Sequence, residues 1–213
     1  LVPINQRQVA IARLLGIALT ANVLGAAVSG VIGDLFGWRG VFAILGTFSL
    51  AVSALAFWAL RNTTLPPQPS FNRAAVVANF RDILADPRAK ICFGAVFLEA
   101  IFIHGLFPYV GVLLLGIGES RASIAGLLIG CFAVGGILYS LAVPYLVRAV
   151  PERRLMMIGG VIAGVSLALV ALHFPWQIQI AIYGTFGLGF YLLHSCIQVH
   201  VTDLSQTARG AAA

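Results

Sequence analysis

Long uncharged apolar runs alternate with short charged gaps along this chain. The runs cover residues 14–33, 40–60, 122–147 and 155–202, the last with one break near His173 to Gln177. A further run, 91–118, is interrupted by a single acid, Glu99. A helix needs about 20 apolar residues to cross a bilayer. Each run is long enough to cross once, and the last is long enough to cross twice. The pattern predicts an all-α, polytopic transmembrane helix bundle of six spans.

Composition sharpens this picture. Hydrophobic residues make up 60% of the chain and charged residues only 9%, against about 25% charged in soluble domains. That apolarity leaves too little polar surface to keep a soluble fold in water. The 23 glycines suit close helix packing in lipid. Gly126 with Gly130, and Gly160 with Gly164, have the four-residue spacing that lets backbones approach, and Ser29, Gly33 and Gly37 continue small-residue spacing at the end of the first span. Cys92, Cys131 and Cys196 all lie inside apolar runs. They read as small buried hydrophobes, not as a disulfide framework or a metal cluster.

The net charge of +6 does not mark a nucleic-acid partner, because the basic residues are sorted by side. Arg7, Arg13, Arg61, Arg73, Arg81, Arg88, Lys90, Arg148, Arg153, Arg154 and Arg209 fall in alternate gaps, and only Arg39 and Arg121 fall in the others. The positive-inside rule then places both ends and the long gap 61–88 in the cytoplasm. Trp38 and Trp176 fall at the outer interface and Trp58 at the inner one, as an aromatic belt requires. Within the long gap, Asn62 to Ser70 is a turn-rich stretch. Residues 71–85 follow, with Val76, Val77, Phe80, Ile83 and Leu84 on one stripe, an amphipathic helix along the inner membrane surface. Asp86-Pro87 supplies an N-cap and a first-turn proline for the third span.

Glu99 is the only acid deep in a span. An ionisable group there costs at least ~2.5 kcal/mol unless it faces protein or water. Two readings stand: an acid that carries a proton or contacts substrate, and a protonated acid hydrogen-bonded to a neighbouring helix. The first is favoured because intramembrane acids are functional by default. His104 lies about 140° round the helix from Glu99, as a cavity residue or a capped packing residue. Pro108 frees a carbonyl and kinks the span near Tyr109. The last span carries a polar stripe of Tyr183, Gly187, Tyr191, His194, Ser195, Gln198 and Thr202 at spacings of three and four, a face for protein or water. His194 lies close to the depth of Glu99, so a proton-linked pair between them is geometrically allowed, as is a plain helix contact. The candidate substrate- or proton-binding residues are therefore Glu99, His104, Tyr109, Tyr191, His194 and Gln198. His200 points away from the stripe and reads as interfacial.

Competing classes have weaker support. No His-Glu-x-x-His pattern, paired-carboxylate spacing or nucleotide-binding glycine motif is present, so neither a metal nor another cofactor is expected. Ser195 beside His194 lacks a nucleophile elbow. An intramembrane enzyme is thus disfavoured. A non-transporting membrane scaffold or sensor would present the same residues.

The glycine-rich stretch Gly25, Gly30 and Gly33, followed by Gly37-Trp38-Arg39 and Phe42, resembles the fifth-helix, outer-loop and sixth-helix signature of the major facilitator superfamily. Gly118 to Gly126, Arg153-Arg154 and Ala208-Arg209-Gly210 resemble downstream loops of that family. The fifth helix departs from the family's antiporter motif in having no proline after Gly25 or Gly30. Within the family the chain is similar to bacterial drug- and sugar-efflux permeases. The resemblance implies an internal piece covering helices five to ten of twelve. Residues 1–60 would end the N-terminal bundle, 61–88 would form the cytoplasmic linker, and 89–213 would begin the C-terminal bundle. It implies alternating access in a bacterial inner membrane, with a small-molecule substrate, protons, lipid and the remaining helices of the same protein as partners.

The topology is testable by cysteine accessibility in intact cells. A cysteine at Ser120 should react with a membrane-impermeant maleimide from outside, and one at Gln68 only after permeabilisation. Outside labelling at Gln68 would overturn the assigned orientation.

Overall fold

The structure is a computed structural model that describes residues 4–62 and 73–203. The turn-rich stretch through Gln68, the start of the expected linker helix at Phe71 and the closing Ala208-Arg209-Gly210 lie outside the described residues. The described chain is helical throughout: α1 (Ile4–Leu60), α2 (Arg73–Ala85), α3 (Pro87–Leu106), a 3-10 turn (Phe107–Tyr109), α4 (Val110–Gly116), α5 (Ala122–Ala149), α6 (Glu152–Val170) and α7 (Trp176–Asp203).

Among the described residues, five segments are long and apolar enough to cross a membrane. They are Ala21–Leu60, Pro87–Gly116, Ala122–Ala149, Glu152–Val170 and Trp176–His200. The first is long enough to cross twice and is broken at Gly37, whose φ of 69° and ψ of 177° leave the helical region. The break turns the chain sharply. A Cβ placed on Gly33 would lie 3.8 Å from a Val41 methyl, whereas eight residues of straight helix rise ~12 Å. Gly37 sits in a left-handed conformation that a side chain would strain, and it separates the two crossings expected from runs 14–33 and 40–60.

The regular α-helix of the third span is interrupted at Pro108, where a kink was expected. The 3-10 turn Phe107–Tyr109 joins α3 to α4, because the proline cannot donate the next helical hydrogen bond. The expected cap also forms: the Asp86 carboxylate accepts from the Arg88 backbone N–H at 2.8 Å, with Pro87 in the first turn. Ile83 of the amphipathic α2 is buried with Ala89 and Ile197. That contact seats α2 against the start of α3 and the last turns of α7.

Helix α7 is the hub, packed against α5, α6 and α3. Glycines set how closely it approaches. A Cβ on Gly187 would collide with the Phe132 carbonyl of α5, and one on Gly135 of α5 with the Gly184 carbonyl. On the α6 side, a Cβ on Gly159 would lie 2.7 Å from the Leu193 nitrogen, and one on Gly189 2.7 Å from the Ala163 nitrogen. The contact between α1 and α5 follows the same rule, with Gly126 against the Ala26 carbonyl and Gly30 against Ala122. Gly126 thus behaves as its spacing predicts. The expectation for Gly160 and Gly164 is corrected: both face open space, and the neighbouring Gly159 makes the contact instead. Four-residue spacing marks a small-residue stripe but does not say which way the helix is rotated.

Three apolar clusters lie around this hub. One joins Val110, Leu114, Ile124, Leu128, Val170, Ile182 and Tyr183 across α4, α5, α6 and α7. The opposite end of the bundle holds Leu155, Leu192 and Cys196 in a second and Ile83, Ala89 and Ile197 in the third. All three cysteines are free, and Cys196 is buried.

Gly187→Ala must push two backbones apart and should destabilise by about 1–3 kcal/mol, as overpacking does. Gly164→Ala meets nothing and should be neutral or mildly stabilising. Thermal unfolding of the detergent-purified full-length protein checks the pair. Equal melting temperatures for both variants would contradict the packing described.

Candidate functional site

The close approach of α7 to its neighbours brings two intramembrane polar residues face to face. His194 Nδ1 lies 2.8 Å from Glu99 Oε2, across α3 and α7. Glu99 is buried at 8% exposure, while the His194 side chain is 29% exposed. The other carboxyl oxygen of Glu99, Oε1, is buried and has no hydrogen-bond partner among the described residues. One turn further along α7, Gln198 Nε2 lies 3.3 Å from His194 Nε2. The result is a polar relay, Glu99 to His194 to Gln198, inside an apolar helix bundle.

Both imidazole nitrogens are engaged, and aromatic packing holds the ring plane. Phe190 stacks on His194 with 5.1 Å between centroids and 17° between planes. Phe190 is itself edge-on to Tyr191 at 5.2 Å, and both rings pack on Phe132 of α5. The imidazole therefore has little rotational freedom, and the orientation of its nitrogens is set before anything binds. A pair of this kind can pass one proton between a carboxyl and an imidazole, or present the carboxyl to a polar ligand.

The structure brings together Glu99, His194 and Gln198, with Tyr191 one aromatic contact away. It does not bring His104 or Tyr109 to the cluster. Both are exposed side chains of the third span, Tyr109 at 63%. The N-terminal part of the polar stripe faces protein: Tyr183 is buried and Gly187 abuts Phe132. Ser195 bonds the Tyr139 hydroxyl of α5 and donates to the Leu192 carbonyl at 3.3 Å. Near the end of α7, His200 lies 3.4 Å from Glu152 at the start of α6, with both side chains about half exposed.

Two features were not foreseen from the residues. Phe190 lies four residues before His194, a spacing that puts the two side chains on one helix face, but apolar residues in a span carry no signal of their own. Asp34 follows the first apolar run, in a gap where charge is expected and carries no signal of its own. Its carboxylate instead accepts from the backbone N–H of Ala122 at 2.5 Å and of Ser123 at 3.0 Å, at the start of α5. No group of His, Cys, Asp and Glu able to hold a metal ion occurs among the described residues.

Removing Glu99 strands the His194 nitrogen that faces it. Glu99→Ala should cost about 1–3 kcal/mol, the penalty for a buried polar group left without a partner. Glu99→Gln, which keeps an oxygen and a hydrogen bond, should cost less. The order is read from melting temperatures of the purified full-length variants, and equal losses would contradict the contact.

Comparisons with known proteins agree with this architecture. The family model described as Major Facilitator Superfamily matches residues 1–213. A protein named probable sugar efflux transporter from Mannheimia succiniciproducens is 27% identical over 99% of this chain and 51% of its own length. One with the same name from Helicobacter pylori strain G27 is 28% identical over 99% of this chain and 52% of its own length. The inner membrane transport protein YnfM of Escherichia coli K12 is 32% identical over 57% of this chain and 30% of its own length. The chain thus spans about half the length of the curated relatives it matches most fully. No solved structure matches. The match to the family model along the whole chain, on an all-helical fold of membrane-spanning segments, shows that this chain belongs to the Major Facilitator Superfamily.

Proposed function

We propose that the full-length protein is a secondary active transporter that exports a small molecule across a bacterial inner membrane by alternating access, with export linked to protons through Glu99 and His194. The observation that carries this reading is the 2.8 Å contact between a buried intramembrane carboxyl and an imidazole on different helices. A structural hydrogen bond between spans needs no ionisable partners. A carboxyl and an imidazole both change their proton affinity when the surroundings change from water to protein.

In this reading the pair and Gln198 face a central cavity shared with the other half of the protein, and Phe190 holds the imidazole in place. With one orientation of the two bundles, Glu99 takes up a proton from one side. Substrate then competes for the carboxyl, and the proton leaves on the other side. His104 and Tyr109, exposed on the third span, serve as contacts for substrate or for the remaining helices. The curated relatives named probable sugar efflux transporters support an export role and make sugars the first substrates to test. The proposed orientation puts the Gly37, Glu119 and His173 turns outside and α2 on the cytoplasmic face. The membrane-facing apolar side chains of residues 38–60, which include Phe42, Phe48 and Phe57, meet lipid or the remaining helices.

Glu99→Gln tests the assignment in the full-length protein reconstituted in liposomes. It keeps shape and hydrogen bonding but removes titration. Accumulation driven by a pH gradient should be lost while substrate exchange at equal pH survives. Transport with unchanged pH dependence would make Glu99 structural and leave the α7 polar stripe as the better candidate for the substrate site.

A further inference from the structure

Helix α5 begins without a cap of its own. Arg121, the residue before its first turn, makes no side-chain capping bond, and the only acid in the preceding loop is already engaged. The Glu119 carboxylate accepts from the Arg121 backbone N–H at 3.0 Å, from Nε at 2.8 Å and from Nη2 at 2.6 Å. Those hydrogen bonds and the adjacent guanidinium hold the Glu119 carboxyl down to about 2. The Arg121 guanidinium also lies 5.7 Å from the Trp176 ring centroid at the start of α7. The free backbone N–H groups of the first α5 turn must find an acceptor elsewhere, and they find Asp34 of α1.

Asp34 reaches this place from the other bundle. It is 88 residues from Ala122 and 89 from Ser123 in sequence, across the linker that separates the two halves. A carboxylate at a helix N-terminus satisfies orphan N–H groups and meets the positive end of the helix dipole. The packing beneath it is tight. A Cβ on Gly30 would lie 2.7 Å from the Ala122 carbonyl oxygen, and one on Gly33 would lie 3.2 Å from the Ala122 Cβ. Aspartate and glycine contacts therefore close one end of the interface between the bundles, and on the α5 side they meet the backbone N–H groups of Ala122 and Ser123, the Ser123 hydroxyl and the Ala122 methyl.

We propose that Asp34 is a latch across the two halves: its carboxylate caps α5 only while the Gly37 turn of α1 and the start of α5 are together, and opening of the protein to the outside requires the cap to be released. A capping bond suits this work because it is directional and short-ranged. It vanishes once the helix end moves by a few ångströms, whereas apolar contacts slide. The Glu119–Arg121–Trp176 contacts remain on the second half throughout, so the α5 end moves as one piece. This inference rests on the alternating-access reading above.

The test uses the full-length protein with its native cysteines replaced, in liposomes. Spin labels on Leu35→Cys and Ser120→Cys, both exposed positions, report the separation of the outer ends without any need for transport. Asp34→Ala should shift the distance distribution several-fold toward a longer separation, and Asp34→Asn, which keeps an acceptor but loses the charge, should fall between. An unchanged distribution in Asp34→Ala overturns the latch. As a second arm, Gly33→Cys with Ala122→Cys places the two Cβ atoms within a few tenths of an ångström of disulfide spacing. Oxidation should stop transport and reductant should restore it. Undiminished transport by the cross-linked protein would make the contact permanent and also overturns the latch. Absence of transport in the reduced protein would count against the transporter reading, while the distance measurement still decides the latch.

Discussion

How closely α7 can approach α5, α6 and α3 governs the rest of this molecule. Lipid offers no hydrophobic gain for pressing helices together, so packing must come from close van der Waals contact and polar bonds. Gly187 lies on the Phe132 backbone, and Gly159 and Gly189 pair across α6 and α7. With a methyl at any of these positions the axes separate. His194 sits on the same helix just beyond this glycine-rich segment. Its reach to Glu99 on α3, a 2.8 Å contact, is a consequence of that packing as much as of its own side chain.

The bilayer makes the same demand of Glu99 that it makes of any polar group: a partner or water. One carboxyl oxygen is met by His194. The other is buried without a partner among the described residues. A purely structural acid would be expected to use both oxygens, since an unmet buried acceptor costs as much as a good hydrogen bond returns. An acid that alternates between a proton, an imidazole and a ligand needs one side left available. Phe190 stacks on the imidazole and would limit the orientations open to the proposed exchange.

Much of the fold was legible in the residues because a membrane allows few solutions. Apolar run length set the spans, Pro108 set the interruption of the third span, and Asp86-Pro87 set the start of α3. Position along each apolar run also put Glu99 and His194 at similar depth. Rotation about each helix axis was not legible. That is why Gly160 and Gly164 face open space while Gly159 packs, and why His104 and Tyr109 stand exposed away from Glu99. Neither was the Asp34 cap, because a contact spanning 88 residues of sequence leaves no local periodicity. A missing capping side chain before Ala122 was the one available hint.

The central proposal is that Glu99 and His194 together link proton movement to transport. Proton flux read by a pH-sensitive dye trapped in liposomes that hold the full-length protein tests this directly. A sugar gradient should drive proton movement through the native protein and not through Glu99→Gln or His194→Phe. Sugar-driven proton movement that persists in both variants would contradict it, and would make the pair a fixed strut between α3 and α7.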